Sequence, residues 1–425
     1  MKRRNFLKGI VALPVSATPV AQLFAAPEDY SGQFFVTLQL DGAWDVSSFC
    51  DPKVNQSGEP EINHWSRESG IESVGNLQYA PVSGNSAFFE KHFQNTLVIN
   101  GIDAQTNSHT TGVTHNWSGR NSAGYPSLTA LFALQNAPQL PLSYMNFGGY
   151  AETAKLIRYT RLNDIDSLLS ILSPNTARWN RELVYRDDQM LGLVQQRQQQ
   201  RLQRLRQKEK RLPRQRYTLD AYYDARSNAG SLTDFAAYIP PEDELEQEVQ
   251  LNQRSSNLRG QMQIALLACK SGVACSADLH LSGFDTHDEH DARHLPLLSH
   301  LTNSLDYFWR YAEELGIAER ITLMVSSDFA RTPYYNSSEG KDHWPIGSAM
   351  FMAKSPTWGN RVLGATDAGQ NALDLNPSTL TPQANGIRLY PKHIHHAVRE
   401  HLGINKGPLA EAFPLQNTEL LPIFS

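Results

Sequence analysis

Short runs of strand-forming residues recur along this chain, with helical patterns between them. That alternation constrains the fold more than any other feature. Phe34-Phe35-Val36-Thr37-Leu38-Gln39-Leu40 reads as a strand ending in Asp41-Gly42, and Thr96-Leu97-Val98-Ile99-Asn100 as a second ending at Gly101. Ala277 to Leu281, Arg320 to Val325 and Ser348 to Met352 follow as three more. Between them, Leu297, Leu301, Leu305, Phe308 and Leu315 fall at helical spacing. Buried strands alternating with helices predict an α/β fold, a three-layer α/β/α sandwich around a mostly parallel sheet. In such sheets ligands bind beyond the carboxyl ends of the strands.

The stretch from about 150 to 255 departs from this pattern. Helix formers dominate it, and it reads as a helical insertion within one domain spanning 27–425. From Arg197 to Arg216 there are nine basic residues and one acid, Glu209. The run is expected to be a long solvated helix ending near Pro213. A basic arm for a polyanion or a membrane surface is the alternative.

The first residues carry an address. Lys2-Arg3-Arg4-Asn5-Phe6-Leu7-Lys8 precede a short apolar stretch, Gly9 to Ala26, that contains no acid and is broken by Pro14 and Pro19. This is the layout of a cleaved signal peptide over 1–26. Arg-Arg-x-Phe-Leu-Lys closely resembles the twin-arginine consensus, which implies export to the periplasm or beyond through the twin-arginine translocase. Formal net charge is −5, and losing the four basic residues of 1–26 leaves −9. That mild acidity argues against nucleic acid as a partner. Of three cysteines, Cys269 and Cys275 are the better pair for a disulfide, the alternative being that Cys269 is buried on a helix.

Polar residues gather where the strands end. Asp41 follows the first strand. Asp285 and His287 follow the third in Gly283-Phe284-Asp285-Thr286-His287, and Asp328 follows the fourth in Ser326-Ser327-Asp328-Phe329-Ala330-Arg331. His343 lies a little beyond, in Asp342-His343-Trp344. In a parallel sheet these ends share one edge. The resulting carboxylates and imidazoles suit a divalent ion, zinc foremost, with manganese or calcium as alternatives. In an extended segment Asp285 and His287 point the same way and can reach one ion. His290 and His294 are expected to face solvent. His393, His395 and His396 are expected to line a surface helix from Pro391 to Leu402.

The order of these residues resembles the alkaline phosphatase superfamily of phosphatases, sulfatases and cofactor-independent phosphoglycerate mutases. Leu40-Asp41-Gly42-x-x-Asp45, the Gly-Phe-Asp-Thr-His block and Ser-Asp-Phe-x-Arg-Thr followed by Asp-His bring it closer to one branch, a twin-arginine-exported bacterial family of unknown function. The resemblance implies a fold of alkaline-phosphatase type and a periplasmic metal-dependent hydrolase of phosphate or sulfate esters. Asp41, Asp285, His287, Asp328 and His343 would hold metal. Arg331 would bind the substrate's anion, and Ser108 or His109 would sit at the reaction centre. The substrate would be an anionic small molecule or glycan ester. Counting back from Gly119-Arg120 places His109 at the nucleophile position of sulfatases, whose Pro and Arg are missing here. Asn107-Ser108 resembles the mutase version, so either Ser108 attacks or His109 binds metal. Superfamily phosphatases have His where Phe329 stands, and Phe329 cannot bind metal. These departures leave an alternative: a non-catalytic metal-binding relative acting with a co-exported partner.

Overall fold

A computed structural model describes residues 30–162, 165–177, 180–208, 211–227, 229–251 and 254–425. The signal-peptide segment lies outside them. Eight strands form the central sheet. In chain order they are β1 (Phe34–Asp41), β2 (Thr96–Asp103), β3 (Tyr144–Asn146), β4 (Thr160–Arg161), β5 (Ser276–Ser282), β6 (Ile321–Ser327), β7 (Ile346–Ala353) and β8 (Arg361–Leu363). Their spatial order is β8-β2-β7-β6-β1-β5-β3-β4. All pairings are parallel except those that β7 makes with β6 and β2.

The sequence shows why β1 is central. Its residues are buried on both faces until Asp41, as expected of a parallel strand covered by helices on both sides. On β5, Ser276 and Asp278 bond toward Thr129 of the 128–136 helix. By the two-residue period Ala277 and Leu279 point to the opposite face, against the 258–270 helix. The expected strands are present, and β2 runs on past Gly101 to Asp103. The expected periodic helix spans His290–Glu314 and buries Leu297, Leu301, Leu305 and Phe308.

Several expectations change. The basic stretch does not form one helix to Pro213. A helix runs from Asp188 to Arg206, and Pro213 instead opens the next, a position where its missing N–H costs nothing. Cys50, Cys269 and Cys275 are all free and buried, Cys269 on the 258–270 helix. His290 and His294 do not face solvent, and His393 and His395 do not line a surface: all four are buried. Among the described residues no helix is long and apolar enough to cross a membrane.

Candidate metal centre

Four strand ends meet at one edge of the sheet. Parallel β1, β5 and β6 deliver Asp41, Asp285 and Asp328 there. β2 runs the same way, so the loop after Asp103 brings Ser108 and His109 to the same edge. β7 is antiparallel, so it is the segment preceding it that reaches the edge, and that segment carries His343.

Three imidazoles are aimed by the acceptors behind them. His109 Nδ1 bonds Asp328 Oδ2 at 2.5 Å, His287 Nδ1 bonds Asp342 Oδ1 at 2.7 Å, and His343 Nδ1 bonds the Asn107 carbonyl at 2.7 Å. Each acceptor requires the proton on Nδ1, which leaves a lone pair on Nε2. The carboxylate of Asp285 stands among these lone pairs. Its Oδ1 is 3.0 Å from His287 Nε2, 3.4 Å from His343 Nε2 and 3.5 Å from His109 Nε2. Ligand atoms of His109, Asp285 and His343 lie within 4.8 Å of one another. The Asp328 bond raises the His109 pKa against its partial burial, whereas burial lowers that of His343. Partial burial would raise the Asp285 pKa, but the bond and charge of Arg331, with His109 and His287, bring it down to about 2.

This donor set fits a divalent cation. His109 Nε2 is buried and has no hydrogen-bond partner. His287 Nε2 and His343 Nε2 face each other at 3.0 Å, lone pair to lone pair, an arrangement that a shared cation relieves. Imidazole nitrogens backed by two carboxylates and a backbone carbonyl, with one further carboxylate, form a set typical of transition-metal sites.

The structure gives the other sequence candidates different places. Asp328 stands behind His109 and does not join the ligand group. It is fully buried, with Oδ1 accepting from the Ala43 N–H and Ser327 Oγ, both at 2.7 Å. Helix 109–118 lies so close that a Cβ at Gly112 would fall 2.7 Å from the Asp328 carbonyl. Arg331 is committed mainly within the fold. It is fully buried, and four of its N–H groups go to the carbonyls of Ala43, Gly42 and Lys341 and to Asp285 Oδ1, while Nη1 also stands 3.5 Å from His287 Nε2. Asp41 stays outside the group. It lines a cavity of about 590 Å³ beside His109, with Thr110, Tyr150, Tyr159 and Arg161. Ser108 is exposed at the start of the 109–118 helix, and its hydroxyl caps no backbone N–H.

Sequence reasoning passed over Asp342 and Asn107, which orient His287 and His343. Asp342 stood beside a candidate ligand, and an acid next to a metal-binding histidine is the available signal. It also read Phe329 only as a missing ligand. The ring instead packs on both imidazoles, 4.9 Å from His109 and 4.9 Å from His343 between centroids, and so fixes their planes.

A model of the family described as "Protein of unknown function (DUF1501)" matches residues 90–383. None of the curated protein sequences matches the chain. Among solved structures, the chain is similar to Ps i-CgsB in complex with k-i-k-neocarrahexaose, with 8% identity and a TM-score of 0.42 over 92% of this chain and 76% of that one. It is also similar to alkaline phosphatase from the Antarctic bacterium TAB5, with 10% identity and a TM-score of 0.36 over 88% of this chain and 100% of that one. A third is the lipoteichoic acid synthase LtaP from Listeria monocytogenes, with 9% identity and a TM-score of 0.36 over 89% and 74%.

Proposed function

The chain belongs to this family of proteins of unknown function, DUF1501, and we propose that it is an exported, metal-dependent hydrolase of phosphate or sulfate esters. The observation that carries the reading is the convergence of His109, His287 and His343 Nε2 on Asp285, each imidazole held from behind. These four side chains would hold the ion, with zinc the expected metal. A divalent ion at this place supplies positive charge to an ester's oxygens and makes water or a hydroxyl easier to deprotonate.

The chain's own residues do the rest. With His109 a ligand, a water would be the nucleophile; in the alternative, the attacking hydroxyl would be that of Ser108, one residue earlier and exposed. It opens a helix whose first N–H groups favour a negative charge. The cavity beside His109 would receive the remainder of an anionic small-molecule or glycan ester. One observation favours a second reading, a non-catalytic protein that keeps the metal and works with a co-exported partner: Arg331 is fully buried and spends four of its five N–H groups within the fold, which leaves it little to offer a substrate anion.

The test is metal content by elemental mass spectrometry on wild type and Asp285→Ala. Stoichiometric metal in the wild type that is lost in the variant is the expected result, followed by turnover of phosphate or sulfate esters. Metal without turnover would favour the binding protein. Absence of metal after reconstitution would overturn both readings. Export is tested separately: replacing Arg3 and Arg4 together with Lys is expected to hold the chain in the cytoplasm, read by fractionation.

A further inference from the structure

A second polar cluster, distinct from the metal centre, is completely buried. Asp45, Lys341, His290, His294, Thr286 and Asn63 are each 0% exposed. The Lys341 ammonium donates to Asp45 Oδ2 at 2.8 Å, Asn63 Oδ1 at 2.7 Å and Ser47 Oγ at 3.2 Å, so all three of its protons are used. The histidines close a one-way ring of hydrogen bonds. Asp45 N–H donates to His294 Nε2 at 2.9 Å, and His294 Nδ1 donates to Thr286 Oγ1 at 3.1 Å. Thr286 Oγ1 donates to His290 Nδ1 at 2.8 Å, and His290 Nε2 donates to Asp45 Oδ2 at 3.0 Å. The Thr286 hydroxyl has a second, longer acceptor in the Phe284 carbonyl at 3.3 Å, and burial favours the neutral form of both imidazoles.

The cluster is attached to both segments that carry the ligands. Thr286 lies between Asp285 and His287. Lys341 immediately precedes Asp342 and His343, and its N–H donates to the Thr286 carbonyl at 3.0 Å. Its own carbonyl accepts from Arg331, the residue that holds Asp285. The two segments touch so closely that a Cβ at Gly340 would fall 1.8 Å from the His287 carbonyl. A buried ion pair adds little net stability, because desolvation offsets its attraction, and well-packed apolar side chains would serve as well. What apolar packing lacks is direction. An ammonium with three fixed acceptors and a closed ring of hydrogen bonds permits one arrangement of the attached backbone.

We propose that the buried Lys341–Asp45 pair, with its His290–Thr286–His294 ring, is a positioning device for the metal centre. It sets segment 285–287 against segment 341–343 at the spacing that lets Asp285, His287 and His343 share one ion. This inference rests on the metal-site reading above. Lys341, Asp45 and Thr286 are positioning residues and touch no ion themselves.

The test is titration of the full chain with cobalt(II), followed by its visible absorption band, in three variants beside the wild type. Asp45→Asn/Lys341→Met removes both buried charges together, which avoids stranding either one. Thr286→Val cuts the ring at nearly constant volume, and Thr286→Ser restores the hydroxyl. The wild type is expected to saturate at one equivalent. The double variant and Thr286→Val are expected to bind about 10–100-fold more weakly, as for the loss of groups that orient ligands, with an altered band. Thr286→Ser is expected to regain wild-type affinity. Thr286→Val keeps the charge pair and is the deciding variant if the double variant does not fold. Folded variants, checked by circular dichroism, that bind cobalt with wild-type affinity and spectrum would overturn the positioning role and leave the metal site standing. A wild type that binds no cobalt would overturn both.

Discussion

Arg331→Met is expected to destabilise the metal-free protein by about 3–5 kcal/mol, the cost of breaking a buried, hydrogen-bonded charge. The guanidinium is 0% exposed and joins three chain segments at the sheet edge: Gly42 and Ala43 after β1, Asp285 after β5, and Lys341 before β7. Methionine fills much of the volume but leaves those carbonyls without donors, and each stranded buried acceptor carries its own penalty. Arg331→Lys is expected to recover little, because an ammonium has three donors and no planar fork. Urea denaturation with a chelator present measures the effect and separates it from loss of metal. A shift below about 1 kcal/mol would mean that water or backbone relaxation satisfies these carbonyls, and that Arg331 is free for another role.

The second large effect is a pH dependence set by Asp278, far from the metal ligands in the middle of β5. Burial raises its pKa from 3.8 to about 6, even though Thr37, Thr129, Tyr144 and Asn146 all donate to the carboxylate. A raised folded-state pKa means that the folded chain holds the proton more tightly than the unfolded one. The contribution to stability is therefore complete below pH 3.8 and is lost as the pH rises through about 6. At about 1.4 kcal/mol per unit, the loss amounts to about 3 kcal/mol. Asp278→Asn is expected to remove this slope and to be the more stable protein at pH 7, since the Tyr144 hydroxyl can turn to accept from the new amide. Urea midpoints at a series of pH values between 4 and 7.5, wild type against variant, give the comparison. Parallel curves for the two proteins would show that Asp278 is ionised throughout and held by its four donors.

Much of this architecture was legible in the sequence. Runs such as Phe34–Leu40 and Ile321–Val325 put large apolar residues on both faces, which suits a strand buried between two helical layers, and the structure places both at the centre of the sheet. The chemistry at the strand ends was legible for the same reason. A polar residue directly after a buried strand must emerge at the sheet edge, so Asp41, Asp285, His287 and Asp328, with His343 a little beyond, could be grouped before any geometry was known, although Asp41 and Asp328 stay outside the ligand group. His109 could be marked beside Ser108 only through the resemblance to sulfatases, by counting back from Gly119-Arg120.

What the sequence could not settle were questions of direction and occupancy. Asp285 and Asp328 are both acids after strands, yet one turns outward among the imidazoles while the other is consumed by Ala43, Ser327 and His109. Arg331 reads as an anion clamp until its donors are counted. His290 and His294 read as solvent-facing because imidazole is polar, but they are buried in a ring that Asp45 and Thr286 complete. Thr286 is local, but Asp45 lies 245 residues from His290 along the chain. Local pattern determines which face of a strand or helix is apolar, because burial repeats with the backbone's own period. Whether a polar side chain is spent on a neighbour or left free for a ligand depends on donors and acceptors supplied by distant segments, and only the tertiary structure brings those together.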